Sequence, residues 1–131
     1  MSARYADVVE GIRATIAAYT HALDDGRTDD IVATFCPDGV CDIPGMGTHV
    51  GHDALRVAYD KWKPRRPQRH LVVNTLVTDW NDHEANATSD VIFILQGEAG
   101  WAIQIVGRYH DTLHLDGDAW RFHRRTAEFV Q

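Results

Sequence analysis

Apolar residues recur at spacings of three and four near the start of the chain: Val8, Val9, Ile12, Ile16, Tyr19 and Leu23. That rhythm places one stripe along one side of a helix and predicts a helix over residues 4–25. Gly26 comes directly after and can take the left-handed conformation that ends a helix. Thr28 then reads as the N-cap of a second, short helix, with Asp29 and Asp30 in its first turn and Ile31, Val32 and Phe35 as its apolar side. Pro37-Asp38-Gly39 is expected to stop it. From Val40 to Val50 the pattern predicts two short strands around a turn at Pro44-Gly45-Met46-Gly47. His52 to Trp62 returns to helical spacing through Leu55, Val57, Ala58, Tyr59 and Trp62, and Pro64 and Pro67 end it.

At Arg69-His70-Leu71-Val72-Val73-Asn74 the period falls to two. In a strand, His70, Val72, Asn74 and Leu76 share one face, and Leu71, Val73, Thr75 and Val77 share the other. The second face is apolar apart from a threonine; the first sets two polar groups in an apolar wall. A polar group on a buried face costs free energy unless it is partnered. His70 and Asn74 are therefore either satisfied inside a core or line a pocket. Long strands come next at Ala85–Gln96, Trp101–Leu115 and Ala119–Val130, joined by turns at Gly97–Gly100 and Asp116-Gly117-Asp118, the second a strong hairpin signal. No repeat or linker interrupts the chain. Helices in front and strands behind predict a single α+β domain over residues 1–131, its helices packed on one face of a curved sheet. A sheet of that kind encloses a cavity suited to a small molecule.

Composition narrows the partners. A chain of 131 residues and 14.7 kDa can bury a core without disulfides or metals. A net charge of −6 argues against a nucleic-acid or anionic-membrane partner. No apolar run approaches the roughly 18 residues that span a bilayer, and the first ten residues lack a secretory apolar region, so a cytoplasmic protein is expected. Cys36 and Cys41 have no second pair and read as free thiols. Lys61, Lys63, Arg65, Arg66 and Arg69 form a basic cluster, either a solvated helix end or an anion site.

Several residues could carry chemistry. Asp24 lies beside Leu23 at the edge of the first helix's stripe. Paired to His70, its carboxylate would hold one imidazole tautomer and make the ring a better general base; alone, it is a solvent-exposed helix-end residue. Tyr19 could donate a hydrogen bond to a substrate oxygen, or be a core aromatic. In the last strand Trp120 and Phe122 read as core. Arg125 falls on the opposite face by strict alternation, unless a bulge turns it inward to fix a carboxylate or enolate oxygen. Asp90, which opens an apolar run, is the other acid that could point inward. Among eight histidines, His110 and His114 share a strand face about 13 Å apart, and His49 and His52 lack a third ligand, so no metal is expected. No glycine-rich phosphate loop, nucleophile elbow or redox cysteine pair is present, which removes support for phosphoryl transfer, serine hydrolysis and hydride transfer.

The order of elements resembles the SnoaL-like branch of the nuclear transport factor 2-like superfamily. The likeness rests on Tyr19-x4-Asp24-x-Gly26-x2-Asp29, Phe35-x2-Asp38-Gly39, Gly47-Thr48-x2-Gly51, His70-x3-Asn74, Gly107-x-Tyr109-x-Asp111 and Trp120-Arg121-Phe122-x2-Arg125. It covers nearly the whole chain. It implies a cone-shaped α+β barrel, a strongly curved, mostly antiparallel sheet wrapped around N-terminal helices and assembled as a homodimer or homotrimer. Bile-acid and scytalone dehydratases and the hexachlorocyclohexane dehydrochlorinase belong to that branch. By resemblance this chain is a cofactor-independent lyase acting on a small hydrophobic hydroxy-carbonyl or ring substrate. His70 would be the base, Asp24 its partner, and Tyr19 the group assisting the oxygen. Arg125, which matches a functional arginine of the dehydrochlorinase, would bind substrate together with Asn74 and Asp90. The same dyad would also serve an isomerase or polyketide cyclase. The small subunits of ring-hydroxylating dioxygenases share the fold without catalysis, which leaves a silent binding or assembly subunit as the third reading.

Overall fold

The apolar stripe of the first helix decides the layering. In the computed structural model, which describes residues 4–130, the chain runs α1 (Tyr5–Asp25), α2 (Thr28–Ala33), β1 (Phe35–Ile43), β2 (Gly47–Val50), α3 (His52–Lys61), β3 (Gln68–Trp80), β4 (Glu84–Gly97), β5 (Gly100–Asp116) and β6 (Ala119–Phe129). α1 buries Val8, Ile12, Ile16, Tyr19, Ala22 and Leu23 against the sheet. It comes close enough at Gly11 that a Cβ there would lie 2.6 Å from Trp120 of β6. Thr15 Oγ1 donates to the Trp120 carbonyl beside it, at 2.5 Å. At the far end Gly26 takes a φ of 69°, and the N–H groups of Gly26 and Arg27 return to the carbonyls of Leu23 and Ala22. α2 starts within two residues of that cap, so Thr28 is already helical and Arg27 holds the cap position without a side-chain bond. The N-cap role expected of Thr28 is not observed.

The six strands form one sheet in the order β2-β1-β6-β5-β4-β3. All pairs are antiparallel except β1 with β6. The sheet curves around the helices without closing, leaving β2 and β3 as its edges. Its core runs through Ile12, Phe35, Leu55, Leu113 and Phe122, all fully buried. This is the α+β architecture expected, with helices on the concave face. Among the described residues, no helix is long and apolar enough to cross a membrane.

Three local irregularities aim side chains in ways that alternation alone does not give. The second helix ends at Ala33, before the expected stop at Pro37-Asp38-Gly39, and Phe35 opens β1, which runs through that tripeptide with a register shift against β6 between Phe35 and Val40. Proline has no N–H to give the ladder, and an irregular stretch accommodates it. In β3 the register slips between Val73 and Leu76, and Asn74 takes a φ of 57°. Asparagine is among the few residues that tolerate that conformation. Beyond it the inward face passes to Thr75 and Val77, while Asn74 is exposed and Leu76 is 58% exposed. The expected face of His70, Val72, Asn74 and Leu76 therefore ends at Val72. In β6, Thr112 faces Arg124 and Leu113 faces Phe122, which leaves His123 as an extra residue. That bulge puts Phe122 and Arg125 on the same buried side.

Gly39 has an ordinary backbone but no room for a side chain. A Cβ would sit 2.8 Å from the Phe122 carbonyl oxygen and 3.0 Å from that of Cys36. Gly39→Ala should cost about 1–3 kcal/mol, as overpacking against backbone does. A lower urea midpoint with an unchanged m-value would show it.

Candidate active site

The C-terminal turn of α1 lies against the first residues of β3, and one carboxylate joins them. Asp24 Oδ2 accepts the backbone N–H of His70 at 2.8 Å. Its Oδ1 lies 2.6 Å from His70 Nδ1 and accepts Gln68 Nε2 at 3.2 Å. The Asp24 side chain is 5% exposed and that of His70 15%. A buried carboxylate accepts and does not donate when ionised, so Nδ1 of the neutral ring carries the proton and Nε2 is left as the basic nitrogen. Phe93 of β4 stacks on the imidazole, 4.6 Å between centroids and 25° between planes. Register explains the contact, since His70 and Phe93 are direct cross-strand partners. The ring is therefore fixed in position by the carboxylate and in plane by the phenyl group.

His70 forms part of the wall of a partly open cavity of about 200 Å³ between α1, α3 and the sheet. The lining is dominated by apolar groups such as Leu23, Ile43, Trp62, Val91 and Phe129. Its residues with polar groups are few: His70, Gln68, Tyr19, Tyr59 and Tyr109. The Tyr19 and Tyr59 hydroxyls lie 2.6 Å apart, and Tyr59 is 3.4 Å from Cys41 Sγ. Burial pushes both phenols well above their ordinary range, so each stays a hydrogen-bond donor. One phenolic proton satisfies the other oxygen, and the second is free for the cavity or the thiol. Such a space fits a small, mostly apolar molecule carrying an oxygen or two.

Arg125 lies beneath this wall and is completely buried. Its Nε and Nη2 donate to the two carboxylate oxygens of Asp111 at 2.8 and 3.1 Å. The guanidinium carbon stands 3.6 Å from the centroid of the Tyr109 ring and 4.5 Å from those of Tyr19 and Phe122. Burial works against the charge, but the Asp111 carboxylate outweighs it and holds the guanidinium above its ordinary value. Nη1 is buried without a partner among the described residues. The bulge at His123 answers the question of facing left open by parity: Arg125 points inward, but it underlies Tyr19 and Tyr109 and is not itself part of the cavity lining.

Tyr19, Asp24 and His70 are thus brought together, with Arg125 against the Tyr19 ring; Asn74 and Asp90 lie apart from them. Asn74 Nδ2 donates to Asp90 Oδ2 at 2.9 Å, and Arg108 Nε donates to Asp90 Oδ1 at 2.8 Å. These partners hold the Asp90 carboxyl below its ordinary value. Neither Asn74 nor Asp90 lines the apolar cavity, because the left-handed turn at Asn74 carries its side chain outward. Asn74 borders a separate, more open groove between α1 and β3 that also touches His70. Gln68, Tyr59 and Phe93 are site residues that sequence reasoning passed over. Gln68 alone had a signal, lying two residues before His70 on the same strand face. Among the described residues, one group of side chains could ligate a metal, Cys36 with His114 and His123, and it lies outside the cavity.

Comparison with known proteins agrees with this architecture. The family described as the SnoaL-like domain matches residues 4–126. No curated protein matches the sequence significantly. Among solved structures, a protein of unknown function from Mycobacterium tuberculosis is 24% identical, with a TM-score of 0.87 over 94% of this chain and 72% of that one. A Novosphingobium aromaticivorans protein provisionally assigned as an aromatic ring hydroxylase is 25% identical, with a TM-score of 0.85 over 98% of this chain and 92% of that one. A second protein from that organism, provisionally assigned as a scytalone dehydratase, is 22% identical, with a TM-score of 0.83 over 94% of this chain and 84% of that one.

The buried groups give two measurable outcomes. Asp111→Ala would strand the Arg125 charge and should destabilise the fold by about 3–5 kcal/mol. Loss of the exposed Asp42–Arg124 pair by Asp42→Ala should cost under about 1 kcal/mol, and chemical denaturation distinguishes the two. Tyr109 is pushed up to about 12 by burial, and Tyr19 and Tyr59 are raised as well, from an ordinary value of 10.0. The stability held by these protonated phenols is complete below pH 10, where both states are neutral. It is lost as the pH rises toward and through about 12, because only the unfolded chain ionises readily. Circular dichroism and phenolate absorbance recorded together should therefore change in one alkaline transition.

Proposed function

Because this chain belongs to the SnoaL-like domain family, we propose that its cavity binds and converts a small molecule, as a cofactor-independent lyase of the dehydratase type. The observation that carries the reading is the Asp24–His70 pair, 2.6 Å apart, with His70 in the wall of an apolar cavity and Asp24 behind it. Nε2 of His70 removes a proton from a carbon made acidic by a neighbouring carbonyl. Asp24 keeps the tautomer that allows this and balances the positive charge the ring then gains. Tyr19, backed by Tyr59, donates to the oxygen that gains charge or leaves. Arg125 acts as a positioning residue, holding the rings of Tyr19 and Tyr109 from below. A cavity of about 200 Å³ suits a hydroxy-carbonyl or ring compound of modest size. Asn74 and Asp90 have no part at this cavity.

The outer side of the sheet supports self-association. Leu71, Val73, Ile103 and Val106 all lie on that side and are 45%, 43%, 65% and 40% exposed. A second copy covering them would give a homodimer or homotrimer.

The reading is tested by proton exchange in heavy water with a panel of hydroxy-ketones, hydroxy-enoyl thioesters and cyclic ketones. Deuterium should enter a carbon position with the unaltered protein, and His70→Ala should slow this by roughly a hundred- to ten-thousand-fold while leaving the fold intact. Loss of water would mark the lyase, and unchanged mass an isomerase. Unaltered exchange in His70→Ala would overturn the mechanism.

A further inference from the structure

On the far side of the core from the cavity lining, three neighbouring strands each contribute one potential ligand. Phe35, Phe122 and Leu113 lie side by side across β1, β6 and β5 and are fully buried. The residue after each of them is Cys36, His123 and His114. A ring nitrogen of each histidine and the cysteine sulfur lie within 4.8 Å of one another. We propose that Cys36, His114 and His123 form a site for Zn²⁺ or a similarly borderline-soft divalent ion, with a fourth position open to water.

The donor set argues for that class of ion. One thiolate and two imidazoles suit zinc, whereas calcium and magnesium require oxygen ligands. His123 Nδ1 is buried with no hydrogen-bond partner among the described residues, which is costly for a polar atom and is relieved by a metal. Nε2 of His114 is already held by Glu84 Oε2 at 2.8 Å, which leaves Nδ1 for an ion. A carboxylate behind a ligating imidazole is the usual way such a ring is oriented. The two rings stack 4.1 Å apart at 12°. Tetrahedral coordination at the usual bond lengths puts ligand atoms roughly 3.3–3.7 Å apart. The rings must therefore swing out of the stack, and the ligand atoms, now up to 4.8 Å apart, close by up to about 1.5 Å, so that each lone pair meets the ion in its ring plane. Both imidazoles are only half-buried and can make that rotation more readily than core side chains.

The test uses the reduced, untagged full chain. Zn²⁺ titration against a chromogenic chelator gives stoichiometry and affinity, and Co²⁺ gives a spectrum. One Zn²⁺ per chain is expected, and Co²⁺ should show a thiolate charge-transfer band with tetrahedral visible bands. Cys36→Ser should abolish that band, and His123→Ala and His114→Ala should each weaken Zn²⁺ by about ten- to hundred-fold. His110→Ala, on the same strand but paired with Glu128, should change nothing. Circular dichroism of each variant separates lost binding from lost fold, and His114→Ala, on a partly exposed ring, decides the matter should the buried Cys36→Ser unfold. Sub-stoichiometric zinc, a cobalt spectrum without thiolate character, or affinity unchanged in a folded His114→Ala would overturn the site.

Discussion

A carboxylate in the last turn of a helix is in an unfavourable place, since the unpaired carbonyls there already carry partial negative charge. Asp24 occupies that place and is buried as well. It is tolerated because β3 supplies three donors, the His70 N–H, the His70 ring and the Gln68 amide. The end of α1 and the start of an edge strand are fixed to each other through this one side chain. The rest of the cavity inherits the arrangement. Leu23 and Tyr19 line it because α1 ends where it does, and His70 faces it because Asp24 takes its other nitrogen.

A second buried charge supports the same space from below. Arg125 is neutralised by Asp111 and surrounded by the faces of Tyr109, Tyr19 and Phe122. An ion pair so placed is a weak source of net stability, because desolvation offsets most of its attraction. What it contributes is geometry: three aromatic rings and two strands meet on one planar cation. The rings of Tyr19 and Tyr109, which line the cavity, are thereby held against one fixed group.

Periodicity makes the helices, the long strands and the α+β layering legible, because burial of one face dominates both patterns. It fails where a single residue changes the count. Asn74 and His123 each sit at a register slip, and each slip reverses the facing of the residues after it. For that reason alternation turns Asn74 inward and gives no settled facing for Arg125; Asp90, expected inward because it opens an apolar run, instead faces Val73 on the exposed side of the sheet. Asp24, Tyr19 and His70 come from the family pattern more than from spacing, since nothing local tells which strand meets a helix end. Histidine pairs along one strand are too far apart to chelate, as spacing indicates. The group of Cys36, His114 and His123 spans three strands, and no linear spacing encodes it.

Everything proposed for the cavity depends on Asp24 dictating which nitrogen of His70 is free. Nitrogen NMR of the His70 side chain tests this most directly, by reading the tautomer of the neutral ring in the intact protein and in Asp24→Asn. A proton on Nδ1 and a free Nε2 are predicted in the intact protein, with that preference lost in the variant. A neutral ring protonated on Nε2, or one indifferent to the substitution, would contradict it.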